Sequence, residues 1–226
     1  MSPRMNVLIT AGATREPIDA VRFLSNGSTG ATGAALADAL VAAGHAVTLL
    51  RGEMTVAPRA AVEGEIFSSA ADLRARLQRQ LAAGKFDAVI MTAAVADYRP
   101  REVTPEKISS DAAELTLSLV RNEKILPQLK PFSPRPLQVV GFKLTVGADD
   151  TAGRQAVARQ FADGGVDLVV HNDLDEIRAA AVHPFRLYSS AQGDPENISG
   201  AAGLAAALGR HWLAGRARAA NQRKTG

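Results

Sequence analysis

The sequence predicts an α/β fold built on a doubly wound, mostly parallel, Rossmann-like sheet with a small edge hairpin, and three observations carry that expectation. Short runs of branched apolar residues alternate with alanine-rich stretches of helical spacing, glycines punctuate both, and apolar residues make up 46% of the chain against only 4% aromatics. Such a composition suits helices packed on strands of branched aliphatics. At 226 residues the chain is long enough to bury one sizeable core.

Taken in order, "NVLIT" (Asn6 to Thr10) is a short apolar run ended by Gly12, as expected of a buried parallel strand. A long polar detour follows before "TGAALADALVAAG", which has helical spacing and stops at Gly44. "HAVTLLRG" reads as the second strand, and "SSAADLRARLQRQLAAG" as a helix capped by serines and closed by Gly84. "DAVIMTAAVADY" is a strand running into a small-residue loop. This alternation implies right-handed crossovers and a parallel sheet.

Beyond Tyr98, "RPREVTPEKISSDAAE" is a Pro-rich, charged loop of functional length. "LTLSLVR" alternates like a strand, "NEKILPQLK" is a short helix or turn, and "LQVVGFKLT" is a buried strand. "TAGRQAVARQFADGG" reads as a helix, "VDLVVHND" as a strand, "FRLYSS" as an edge strand and "SGAAGLAAALGRHWLAG" as the last helix. One domain over 1–213 is expected, followed by a basic, frayed tail over 214–226.

The charge balance excludes several classes. The net charge is +3, and much of the excess sits in that tail, at Arg216, Arg218, Arg223 and Lys224. A nucleic-acid surface needs basic residues interleaved with stacking aromatics, and one Trp and two Tyr do not provide it. Without cysteine there is no disulfide framework, thiol nucleophile or thiolate metal site. No stretch approaches the roughly 18 unbroken apolar residues of a membrane span, and "MSPRMNVLIT" lacks the pattern of a signal peptide. A cytoplasmic protein is expected.

"GSTGATG" (Gly27 to Gly33) puts small residues and hydroxyls where a helix begins, so unpaired N–H groups face an anion there. Equally, Gly30 and Gly33 serve only to let the helix lie close on the sheet. The match to G-x-G-x-x-G is poor, and Arg51 ends the second strand where an NAD site places an acidic residue. Neither Tyr98 nor Tyr188 begins a Tyr-x-x-x-Lys dyad, which leaves an NAD(P)-dependent oxidoreductase of short-chain type as the less favoured alternative. In the detour, Arg15 and Arg22 have the chemistry to grip phosphates, or to pair with Glu16 and Asp19 on the surface.

The blocks "ITAGATREPIDAVRFLSNGSTGATG", "TAAVADYRP", "EKI", "LTLSLVRNEKIL", "VVGFK" and "VVHND" occur in the order and spacing of the phosphopantothenoylcysteine synthetases, free-standing or as the C-terminal half of the bifunctional flavoprotein of coenzyme A biosynthesis. The resemblance spans roughly Met5 to Leu213. It implies a ligase that joins 4′-phosphopantothenate to cysteine. A nucleoside triphosphate, CTP or ATP with Mg²⁺, activates the carboxylate as an acyl-nucleotidyl anhydride, and the cysteine amine then displaces the monophosphate. A homodimer is implied as well.

Carried over position by position, the resemblance assigns phosphate cradling to Gly12, Ala13, Thr14 and Arg15 and to Ser28, Thr29 and Gly30. It assigns the base and ribose end of the nucleotide to Gly141, Phe142, Asn172 and Asp173. Asn26, Ala94, Ala96 and Asp97 fall on the phosphopantothenate side, where Asp97 equally caps a loop. Asn122 in "VRNEKIL" matches an asparagine associated with turning the acyl-nucleotide over to product, and is equally a helix N-cap. The lysine-rich flap of bacterial relatives is here "ARQFADGGVD", without lysine. Lys143 and Lys107 are the candidates to supply the missing cation, and "GFKLT" in place of "GFAAE" leaves CTP and ATP both open. A non-catalytic member binding nucleotide or phosphopantothenate is the rival expectation.

Overall fold

A computed structural model describes residues 4–222. The sheet grows from β1 (Asn6–Ala11), whose residues after Asn6 are all buried. The detour then forms a hairpin of β2 (Arg15–Pro17) and β3 (Phe23–Ser25), and leads into α1 (Ala31–Ala42). Next come β4 (Ala46–Gly52), β5 (Glu63–Phe67), α2 (Ala70–Ala82) and β6 (Ala88–Met91). A second hairpin, β7 (Tyr98–Pro100) with β8 (Leu119–Arg121), precedes a 3₁₀ turn over Leu126–Gln128 and α3 (Leu129–Phe132). The chain closes with β9 (Gln138–Thr145), α4 (Asp150–Ala162), β10 (Leu168–Asp173), α5 (Leu174–Ala179), β11 (Pro184–Tyr188), β12 (Glu196–Ser199) and α6 (Gly200–Gln222).

Eight strands form one sheet in the order β12-β11-β10-β9-β6-β1-β4-β5, with every pairing parallel except the two that β11 makes with β10 and β12. Alternation along β1 feeds two cores. Val7, Ile9 and Ala11 face α1 and α6, with Leu36, Leu40, Leu204 and Trp212, whereas Leu8 faces α2 and α3, with Leu73, Leu77, Leu81 and Leu129. Buried strands with crossover helices on both faces require this division. Ser69 caps α2 by accepting from the Asp72 N–H at 3.2 Å, as the serine-led sequence predicts.

The doubly wound sheet and edge hairpin are as expected, with three corrections. "FRLYSS" is not the edge: β11 lies inside, and β12, "ENIS", takes the outer position with one buried residue. The strand β5 was not anticipated, because in "EGEIF" only Phe67 is buried and the apolar signal is correspondingly weak. Of "LTLSLVR", only Leu119–Arg121 pairs, leaving Leu115, Leu117 and Leu119 exposed. The last helix continues to Gln222, into the basic segment; the end of the expected tail, from Arg223, lies outside the described residues.

Candidate functional site

Strand order reverses between β1 and β6, and the loops leaving these two strands are zipped together. Ala94 N–H donates to Gly12 O at 2.8 Å, Thr14 N–H to Ala94 O at 3.2 Å, and Ala96 N–H to the buried Thr14 Oγ1 at 2.9 Å. "AGATR" and "AAVAD" therefore form one floor beyond the strand ends, the place where open α/β sheets bind ligands. Asn122 fastens the next segment to it: its Nδ2 donates to Ala96 O at 2.9 Å and its N–H to Asp97 O.

Above this floor and the end of β9 lies an open cleft of about 810 Å³. It is lined by Asn26, Gly27 and Ser28 from the loop before α1, by Ala93–Asp97, by Asn122–Pro127, by Phe142–Leu144, and by Ala156, Arg159, Gln160 and Asp163 of α4. Its base is apolar, through Met91, Val95, Ile125 and Phe142, and its rim is charged. Lys124 pairs with Asp97 at 2.5 Å and Glu123 with Arg74 at 3.4 Å. Lys143 and Arg159 have no ion-pair partner among the described residues. The amide of Asn26 likewise has no side-chain hydrogen bond there.

The cleft thus gathers eight of the sequence-predicted residues: Asn26, Ser28, Ala94, Ala96, Asp97, Asn122, Phe142 and Lys143. The others stand elsewhere. Gly12 and Gly30 have positive φ, 85° and 74°, and the space a Cβ would need is taken by Thr55, whose Oγ1 would lie 1.8 Å from a Cβ on Gly12. Thr55 is held there by its Oγ1–H···O=C bond to Ala11 at 3.4 Å, and Val56 N–H donates to Thr29 O at 3.0 Å. These glycines, with Thr29 beside them, make room for the chain's own loop. Gly33 likewise lets α1 close on Ala11 and Thr92.

Arg15 lies over the Phe23 ring at 4.2 Å and pairs with Glu53 at 2.9 Å, while Arg22 pairs with Asp19 at 2.5 Å. Glu16, expected beside an arginine, is buried and accepts from Ala70 N–H at the start of α2. Gly141 has no side chain because Gln160 packs over it. Asn172 bonds His183 at 2.9 Å. Asp173 is held well below the ordinary carboxylate range by the Thr145 hydroxyl and the N–H groups of Ala148, Asp175 and Gly147, so its oxygens are committed to turning the chain after β9 and starting α5. Lys107 is exposed on the loop between β7 and β8 and does not line the cleft.

Sequence reasoning missed Lys124, Arg159 and Gln160. The signal for the last two was the helical spacing of Ala156, Arg159, Gln160 and Asp163, which puts them on one face of α4. No group of three or more His, Cys, Asp or Glu able to hold a metal exists among the described residues, and no described helix is long and apolar enough to cross a membrane.

A doubly wound sheet with an apolar-based, charge-rimmed cleft beyond its strand ends defines the class, and comparison with known proteins supplies the family. Residues 3–186 match the DNA/pantothenate metabolism flavoprotein C-terminal domain, and the chain belongs to that family. It is 39% identical over 171 residues to the coenzyme A biosynthesis bifunctional protein CoaBC of Bacillus subtilis, covering 75% of this chain and 40% of that one. Against the protein of the same name from Thermococcus kodakarensis, identity is 36%, over 74% of this chain and 41% of the other. The chain therefore spans about two fifths of these curated relatives. Among solved structures, the C-terminal domain of a CoaBC superposes with a TM-score of 0.68 at 28% identity, covering 96% of each chain. The DNA/pantothenate metabolism flavoprotein of Streptococcus pneumoniae gives 0.81 at 23% identity, over 93% of this chain and 99% of that one, and shows the shared fold.

Proposed function

We propose that this chain is a phosphopantothenate–cysteine ligase acting in coenzyme A biosynthesis through an acyl-nucleotidyl intermediate. The observation that carries the reading is the cleft itself: it is large enough for two small substrates and offers cations without carboxylate partners beside an unengaged amide. Family membership supplies the chemistry. The 4′-phosphopantothenate carboxylate attacks the α-phosphorus of CTP or ATP and expels pyrophosphate. The cysteine nitrogen then attacks the acyl carbon, loses a proton and expels the nucleoside monophosphate. Mg²⁺ belongs to the incoming triphosphate on this reading, since the carboxylates on the cleft rim do not form a cage of their own.

On this reading the two asparagines take different roles. Asn122 uses one of its two amide N–H groups on Ala96 O and its Oδ1 on Arg99, which suits a residue that positions the small-residue floor; the Asn26 amide has no side-chain hydrogen bond among the described residues and is free to donate to a carbonyl oxygen as charge develops there. Lys143 stays as the cation at the end of β9. The dinucleotide reading loses its site, because Thr55 occupies the room between Gly12 and Gly30.

A pyrophosphate-release assay tests the proposal. Release should require nucleoside triphosphate, Mg²⁺ and 4′-phosphopantothenate together, with amide forming only when cysteine is added. Binding of nucleotide or phosphopantothenate without any release would instead establish the non-catalytic reading.

A further inference from the structure

Two cations line the cleft without an ion-pair partner among the described residues, and only one of them was foreseen. Lys143 is half-buried at the end of β9, where a cation without a partner is costly. Arg159 lines the same cleft from the last turn of α4; it is exposed, and it does not pair even with Asp163, the residue that caps the helix and also lines the cleft. The two are tied through their neighbours: Gln160 Nε2, next to Arg159, donates to Phe142 O, next to Lys143, at 3.3 Å. That bond crosses the bare Cα of Gly141, where a Cβ would lie 2.5 Å from Gln160 Nε2 and 3.1 Å from Val166 Cγ1.

We infer that Arg159 is a binding residue for the polyphosphate chain of the nucleotide, acting with Lys143 as a two-cation clamp whose missing counter-ion is the ligand. This rests on the proposed nucleotide-dependent activity and adds the residue that nothing in the sequence pattern assigned. The division of labour follows from the two head groups. The Arg159 guanidinium presents a planar fork that engages two oxygens of one phosphate, whereas the Lys143 ammonium is a compact point charge. Neither reads the base. The clamp therefore contributes equally to CTP and ATP.

The bland account of Arg159 is that a cation in the last turn of a helix favours its carbonyl end. Calorimetric titration with inorganic tripolyphosphate, CTP and ATP separates the two accounts without relying on turnover. Arg159→Ala should weaken all three ligands by a common factor of roughly ten to a hundred, the loss expected for a charge-assisted contact. Arg159→Lys should recover only part of it, and Arg159→Ala with Lys143→Ala should bind more weakly than either. Arg178→Ala, an exposed arginine 3.7 Å from Asp175 and outside the cleft, should bind as wild type. Thermal melts identify any variant that fails to fold.

If wild type binds tripolyphosphate and Arg159→Ala binds it equally well, the clamp is wrong and the ligase reading stands. If wild type binds neither nucleotide nor tripolyphosphate, the ligase reading itself fails. A loss confined to one nucleotide, with tripolyphosphate unaffected, would make Arg159 a base or ribose contact and overturn the inference.

Discussion

At the scale of single residues, the cleft depends on side chains whose partners lie far away in sequence. Asp19 illustrates this. Burial would push its carboxyl up, but the N–H groups of Val21, Ile108 and Arg22, with the Arg22 guanidinium, hold it down at about 2 from an ordinary 3.8. Asp19 thereby staples the β2–β3 hairpin to the loop between β7 and β8. A depressed folded-state pKa gives stability that is complete above the unfolded value and is lost as pH falls through the folded one. Melting temperatures of wild type and Asp19→Asn should therefore differ most above about pH 4 and converge towards pH 2. A gap independent of pH would remove the carboxylate from the explanation. Asn26→Asp places an anion where the proposed amide donor stands, and should slow amide formation by about 10²–10³-fold. Asn122→Ala should instead loosen the Ala93–Asp97 floor, lowering the melting temperature along with activity. Equal behaviour of the two variants in melting and in turnover would contradict their separate roles.

At the scale of elements, glycine positions were legible in the sequence but their tenants were not. "GSTGATG" announces close approach at the start of α1; that the approaching atoms belong to Thr55, many residues on, depends on tertiary packing alone. Capping residues were easier to read, since Ser69 precedes its helix directly, whereas the buried Glu16 reaches the same helix end from a distant hairpin. Gly30→Ala would force a side chain onto a residue at φ 74° and within 2.2 Å of Thr55 Cγ2. We expect a loss of about 1–3 kcal/mol from backbone strain, with a further steric cost. Adding Thr55→Ala should recover the part of the steric cost due to Thr55 and leave both the strain and the contact with Gly12 N at 2.8 Å, so denaturant melts of the double-mutant cycle should be non-additive. Additivity would mean that Thr55 does not fill this space.

At the scale of the whole molecule, the parallel core was readable because its strands are near-continuous apolar runs, and the edges were not because β5 and β12 bury one residue each. The cleft was readable only in part: eight predicted residues meet there, but the missing cation was sought at Lys143 and Lys107, and Arg159 and Gln160 on the α4 wall were passed over. The β7–β8 hairpin and its connecting loop expose Tyr98, Val103, Leu115, Leu117 and Leu119, and exposed apolar residues in one stretch of chain are candidates for an interaction surface. We propose a second copy of this chain as its partner. Light scattering should give twice the 23.7 kDa chain mass, and Leu117→Asp should return the protein to a monomer; a wild-type monomer would overturn the dimer.

The most direct test of the ligase account is the identity of the spent nucleotide. With 4′-phosphopantothenate, cysteine, Mg²⁺ and CTP or ATP, mass spectrometry should find one nucleoside monophosphate and one pyrophosphate for each amide formed. Nucleoside diphosphate and inorganic phosphate in that ratio would mean activation through an acyl phosphate, and would contradict the account.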